Sequence, residues 1–170
     1  MKQRQQLPMY GVGPAYVAVV LALTGLGVAL SASGATASGK VPGLRVPFAV
    51  LGTALIAAGA WFWCGAVFCA RVGAHIKNHT LVTSGVYAWV RNPIYSAFLM
   101  ACTGALLWAG DLWLLGLPAV FWLFLTVLMK HTEEKWLLER FGQAYADYCR
   151  RVNRCIPWFP RRIKEEDANG

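Results

Sequence analysis

The sequence predicts an all-α integral membrane helical bundle of about four transmembrane helices, a C-terminal helical hairpin among them, followed by a cytosolic amphipathic helix. Four long apolar runs predict it, together with basic residues gathered on one side of them and a final stretch of helical spacing. Hydrophobic residues make up 57% of the 170-residue chain and charged residues only 14%, with a mean hydropathy of +0.45. Soluble domains average about 25% charged residues, so an ordinary water-soluble domain is excluded. The length allows one domain.

The apolar runs cover 14–31, 46–70, 94–110 and 112–129, against the ~20 residues (range ~17–25) that cross a bilayer as helix. In the first two, Gly25 with Ala29 and Ala54 with Ala58 are small residues four apart, which predicts close helix contact there. The connection SASGATASGKVPG is small and flexible and carries no chemistry. Only Gly110-Asp111 divides the last two runs, which predicts a tight hairpin of short helices. Trp61, Trp63, Trp108 and Trp113 fall near predicted span ends, where indoles anchor at the interface. Beyond them, Leu137, Leu138, Phe141, Tyr145 and Tyr148 recur at helical spacing. They predict one amphipathic helix over 133–152, continuing the fourth span and folded against the interface or the 71–93 loop. The tail from Arg161 to Gly170 is polar and predicted to be disordered.

Basic residues set the orientation. Lys2 and Arg4 precede the first run, Arg71, Lys77 and Arg91 follow the second, and nine more lie from Lys130 onward. Only Lys40 and Arg45 fall on the other side. The positive-inside rule then places both termini and the 71–93 loop, and with it any active site, in the cytoplasm. A net charge of +8 suits nucleic acid as well, but basic residues lying against anionic lipid account for it, and no nucleic-acid partner is expected. A cleaved signal peptide is the competing reading of the N-terminus, with Ala35-Thr36-Ala37 as its site. The run is longer than the ~7–15 residues of such a segment, and Pro8 to Gly13 separates it from the charges, so it is expected to stay as a span. Five cysteines form no metal or disulfide pattern. His75 and His79 are four apart but have no third ligand near, so no metal is expected.

The segment richest in chemistry is His79 to Tyr95, HTLVTSGVYAWVRNPIY, polar and turn-rich between apolar runs. Arg91-Asn92-Pro93-Ile94-Tyr95 combines a cation, a helix N-cap, a proline at the first helical position and an aromatic hydroxyl. A positive helix end beside an arginine is a ready site for an anionic group. Glu133-Glu134, at the end of the fourth run, should face it, and paired carboxylates at a membrane border are expensive unless solvated or bound. Each feature has a plain explanation: a solvated helix face, lipid phosphate for Arg91, interfacial anchoring for Tyr87 and Tyr95, simple capping for Asn92-Pro93. Their convergence argues for a site.

With the apolar hairpin between them and EEKWLLERFGQAYADYCRRVNRCIP after it, these motifs resemble isoprenylcysteine carboxyl methyltransferase and its prokaryotic relatives. Phospholipid methyltransferases share the same C-terminal module. The resemblance covers about 79–157, and residues 1–70 match only as generic spans. It implies a transmembrane scaffold at 1–78, a methyltransferase module at 79–160 and a tail at 161–170. It further implies methyl transfer from S-adenosyl-L-methionine, held on the cytosolic side, to a lipophilic or prenylated acceptor taken from the membrane lipids. Family cofactor contacts fall on His79, Thr80, Leu81, Val82, Tyr87, Asn92, Pro93, Ile94 and Tyr95, and on the glutamate matching Glu133, with Glu134 one residue away. Arg91, Glu133 and Glu134 are the candidate catalytic residues. The family tetrapeptide often begins with histidine, and Asn92 stands there and does not titrate. Eukaryotic members carry a substrate-contacting arginine where Met129 falls, with Lys130 adjacent, and these two are the candidate substrate contacts.

The residue chemistry agrees with that implication. A helix N-terminus with Arg91 suits a carboxylate, a glutamate suits ribose hydroxyls or an amine, and Tyr87 and Tyr95 offer ring faces and hydroxyls. A carboxylate acceptor is already ionised at neutral pH, whereas an amine must first lose a proton to His79 or a glutamate. The tilt is therefore toward O-methylation of an isoprenylcysteine-like carboxylate. The alternatives are a phosphatidylethanolamine-type N-methyltransferase, an NADPH-dependent membrane reductase and a non-catalytic membrane scaffold.

Overall fold

The computed structural model describes residues 13–70 and 81–159. Each apolar run forms a helix: α1 is Gly13–Ala32, α2 Arg45–Ala70, α3 Pro93–Trp108 and α4 Leu117–His131. Two short helices follow, α5 at Glu133–Phe141 and α6 at Gln143–Arg151. Three helical stretches, Gly13–Ala32, Pro42–Phe68 and Leu112–Phe141, are long and apolar enough to cross a membrane. Helix α3 has 16 residues, only ~24 Å at ~1.5 Å per residue and short of a ~30 Å hydrocarbon core. Of the four expected spans, three therefore meet the length of a crossing.

Small residues bring α2 and α3 together, the most extensive helix contact among the described residues. Gly52, Gly59 and Ala66 recur every seventh residue of α2 and are all buried. A Cβ added at Gly52 would lie 2.7 Å from the Gly104 carbonyl, and one at Gly59 would lie 2.8 Å from that of Ala97. The two backbones thus meet directly, as membrane helices do where packing replaces hydrophobic drive. The small pairs expected from the sequence are elsewhere: Ala54 is exposed, and Gly25 faces open space. Four-residue spacing finds small residues but not the face that a neighbour occupies.

Helix α1 turns Tyr16, Val20, Thr24, Gly27 and Ser31 inward along one stripe. Tyr16 and Val20 join Leu99, Leu106, Phe121, Leu125 and Met129 in the main core. Outward-facing residues such as Leu26, Val46, Val50, Phe68 and Leu123 are exposed and apolar, the surface a bilayer requires. Trp61, Trp63, Trp108 and Trp113 are exposed too, in keeping with interfacial anchoring.

The single amphipathic helix expected over 133–152 is broken twice. Thr132 leaves helical geometry at φ −124°, ψ −86°, ending α4, and Gly142 adopts φ +54°, ending α5. A left-handed backbone suits glycine, so the chain redirects there. Leu137, Phe141, Tyr145, Tyr148 and Val152 still gather against Leu81, while Leu138 is exposed.

At the far end of the bundle, Gly110 (φ +65°) turns the α3–α4 hairpin and Asp111 is wholly buried behind it. Its carboxylate accepts hydrogen bonds from the Thr36 hydroxyl and, at 3.1 Å, from the Trp113 amide. Val41 N–H donates to the Gly110 carbonyl at 3.3 Å, closing the first loop over the hairpin. The Thr36 hydrogen bond holds the Asp111 carboxyl below the usual carboxylate range.

Gly59→Leu is expected to cost ~1–3 kcal/mol by overpacking, lowering the thermal midpoint in detergent, whereas Gly25→Leu leaves the midpoint unchanged. Since folding depresses the Asp111 pKa, its stabilisation is present at neutral pH and is lost as pH falls through the folded value. Asp111→Asn is expected to lower the midpoint at neutral pH and to flatten its acid limb.

Candidate active site

The opposite end of the bundle is assembled around the start of α3. A 3-10 turn at Gly85–Ala88 opens on Gly85 at φ +62°. It drives Val86 into a pocket with Phe62, Ala66, Val90 and Ala97. That anchor leads the chain through Arg91 and Asn92 into Pro93, the first residue of α3, as the motif predicts.

Asn92 holds the cap position, but its side chain makes no capping bond. Its Nδ2 donates instead to the Arg154 carbonyl at 3.0 Å, which also accepts the Asn92 amide at 3.2 Å. Arg91 N–H donates to the Asn153 carbonyl at 2.9 Å, and Trp158 N–H to that of Trp89 at 3.1 Å. Residues 153–158 therefore lie along 89–92, and the Tyr148 hydroxyl donates to the Tyr87 carbonyl at 2.6 Å. The fold of the C-terminal segment onto the described part of the loop, 81–93, is thus made by main-chain pairing as much as by apolar contact.

Arg91 turns inward. Its side chain is 8% exposed and its Nη1 lies 3.0 Å from Glu134 Oε1, beside the Cys149 thiol. Arg154 grips the same carboxylate at both oxygens, Nε to Oε1 at 2.6 Å and Nη2 to Oε2 at 2.9 Å. The open cation expected at this helix end is therefore already paired with a carboxylate of the chain. A glutamate held by two guanidinium groups satisfies charges that would otherwise be costly to bury.

Glu133 has a different neighbour. The Tyr95 hydroxyl donates to Glu133 Oε1 at 2.8 Å, and the Tyr95 ring stands edge-on to Tyr16 with centroids 5.8 Å apart. A Cβ at Gly13 would lie 2.3 Å from the Tyr95 hydroxyl, so only glycine lets α1 begin this close. Beside the pair runs a groove of about 490 Å³, lined by Gly13, Pro14, Val17, Ala18, Leu21, Ile94 and Tyr95. Pro14, Ala18 and Leu21 are exposed, so the groove opens on the outer face of the bundle. An apolar groove with the Tyr95 hydroxyl at one end can hold a lipophilic chain and present its polar end to a reaction partner.

The other expected residues distribute around this centre. Leu81 packs against Tyr145 and Tyr148, and Val82 and Tyr87 are half-buried nearby in the chain. Pro93 is buried beneath the loop. Met129 is wholly buried in the core with Tyr16, with no surface to offer a substrate, and Lys130 is exposed. His79 and Thr80, like His75, lie outside the described residues. Sequence reasoning missed two contributors: the α1 wall of the groove and Arg154. The α1 wall was readable from Gly13, Val17 and Leu21 at helical spacing; Arg154 gave no comparable signal.

A family model of phospholipid methyltransferases matches residues 47–144. The protein-S-isoprenylcysteine O-methyltransferase of Schizosaccharomyces pombe is 36% identical over 85 residues, 49% of this chain and 36% of the relative. Its Xenopus laevis namesake is 36% identical over 90 residues, 52% of this chain and 31% of the relative. The cobalt-zinc-cadmium resistance protein CzcN of Cupriavidus metallidurans is 29% identical over 114 residues, 67% of this chain and 50% of the relative. The chain thus spans about a third of the length of the first two relatives and half of the third. No solved structure shows a significant match. Because the matched stretch takes in α2, the Arg91–Tyr95 motif, the hairpin and both glutamates, and exceeds half of the residues, this chain belongs to the phospholipid methyltransferase family.

Proposed function

We propose that the chain is a membrane methyltransferase that uses S-adenosyl-L-methionine to O-methylate the carboxylate of a lipophilic, isoprenylcysteine-like acceptor. The observation that carries this reading is the Tyr95–Glu133 pair at the head of an apolar groove open on the side of the bundle. A prenyl chain entering from the bilayer finds Pro14, Val17, Leu21 and Ile94 along its path and leaves its polar head beside Tyr95. The names of the first two relatives support the same acceptor class.

The donor set fits the cofactor. Glu133 accepts hydrogen bonds from a ribose hydroxyl or an amine, and Tyr87 and Tyr95 offer ring faces to an adenine or a sulfonium. Leu81, Val82, Asn92, Pro93 and Ile94 would flank it, with His79 and Thr80 completing the set by family resemblance. When bound, S-adenosyl-L-methionine supplies a methyl group on a positively charged sulfur, which an ionised carboxylate accepts without a base. The task left to the protein is alignment and exclusion of water. Tyr95 is fixed for this by the Tyr16 ring, by Glu133 and by the close start of α1 at Gly13. Of the candidate catalytic residues, Glu133 is bonded to Tyr95, which lines the groove, while Arg91 and Glu134 pair with each other. The basic-residue asymmetry supports a cytoplasmic site with both termini on that side. Module 79–160 carries the chemistry in this reading, and the scaffold at 1–78 lends it the groove wall.

The description of the matched family supports a second reading, a phospholipid amine as acceptor. That acceptor must be deprotonated, and Glu133 is the carboxylate placed to do it.

Purified protein in lipid nanodiscs, given methyl-labelled cofactor and a prenylated cysteine analogue, is expected to form a base-labile methyl ester. Label in phosphatidylethanolamine instead selects the second reading, and absence of cofactor binding by calorimetry refutes both. Glu133→Gln and Tyr95→Phe are each expected to weaken cofactor binding about tenfold, through loss of a hydrogen bond to a charged group. Unchanged affinity in both variants would show the site to be misplaced.

A further inference from the structure

We infer that Arg154 is a positioning residue of this site, one side chain and carbonyl that together set the spacing between the Arg91–Tyr95 motif and the glutamate pair. The inference rests on the methyltransferase reading above. Arg154 lies on the segment after α6, and it touches both, adding to the direct Arg91–Glu134 and Tyr95–Glu133 contacts. Its carbonyl accepts two hydrogen bonds from Asn92, from the amide at 3.2 Å and from Nδ2 at 3.0 Å. Its guanidinium holds both oxygens of Glu134 at 2.6 and 2.9 Å. Asn92 begins the tetrapeptide that ends in Tyr95, and Glu134 adjoins Glu133. The hydrogen bond at the head of the groove, Tyr95 to Glu133 at 2.8 Å, is thus bracketed on both sides by one residue.

The charges explain why arginine is used. Glu134 carries both Arg91 and Arg154, and Arg91 Nε is buried with no hydrogen-bond partner. Arg91 alone therefore engages one carboxylate oxygen and leaves the second to Arg154, whose planar fork takes both at once. A lysine at 154 retains the charge but not the fork, and an alanine retains only the carbonyl contacts to Asn92. Freed on one side, α5 is held to the start of α3 by Arg91–Glu134 and Tyr95–Glu133 alone, and the Tyr95–Glu133 spacing loosens.

The test starts with calorimetric titration of the wild-type protein in detergent with S-adenosyl-L-methionine, followed by steady-state assays of Arg154→Ala and Arg154→Lys. Loss of the charge-assisted contact is expected to raise cofactor Kd and KM about tenfold in Arg154→Ala, with kcat at saturating cofactor within about threefold of wild type. Arg154→Lys is expected to fall between the two. A residue that served only to hold the fold would lower the thermal midpoint and the active fraction while leaving KM unchanged. Wild-type protein that does not bind the cofactor refutes the methyltransferase reading and this inference with it. Wild-type binding beside an Arg154→Ala variant of equal Kd and KM overturns this inference alone. Where Arg154→Ala does not fold, Arg154→Lys decides: a KM equal to wild type overturns the inference, and a raised KM with retained kcat supports it.

Discussion

In hydrocarbon, a polar group without a partner has no water to turn to, and that constraint places the buried acidic groups of this molecule at its two ends. Two hydroxyls within the apolar helices bond back to their own backbone, Thr53 to Ala49 and Thr103 to Leu99. Among the described residues, the buried acidic groups collect at the two ends. Asp111 closes one with Thr36 and Trp113, and Glu134 closes the other with Arg91 and Arg154. Between them lies an uncharged core of Tyr16, Val20, Leu106, Phe121 and Leu125. The end that carries two guanidinium groups and two carboxylates is also the end where the bundle opens.

The adjacent glutamates show how much a single step along a helix decides. Successive residues of an α-helix point about 100° apart, so Glu133 and Glu134 at the start of α5 reach different partners. One meets a tyrosine of α3 beside the groove; the other is drawn into the ion cluster behind it. A linear alignment sees two interchangeable acids. The break in helical geometry at Thr132 sets which of them faces which way.

What the sequence made legible was local. Four apolar runs became four helices, Gly110-Asp111 became the hairpin turn, and Pro93 opened α3, because hydropathy, glycine conformation and proline geometry act within a few residues. What it concealed was tertiary. The face of α2 that carries Gly52 and Gly59 is defined only by α3, and the inward turn of Arg91 only by Glu134, distant in sequence. Asn92 looked like a cap because of its position; the Arg154 carbonyl competes for its side chain and wins. Gly142 interrupts an otherwise continuous amphipathic pattern, and its left-handed backbone serves a packing need that spacing does not reveal.

The shortness of α3 bears on how two very different reactants can meet. A helix of 16 residues falls ~6 Å short of a ~30 Å hydrocarbon layer. That hydrophobic mismatch must be absorbed by thinning of the adjacent leaflet or by polar residues sitting below headgroup level. Tyr95 stands at the first turn of this helix, beside the groove. For the proposed reaction, this would bring a water-borne cofactor and a lipid-borne acceptor to a common depth, so that a chain anchored in the bilayer need not be lifted out of it to react.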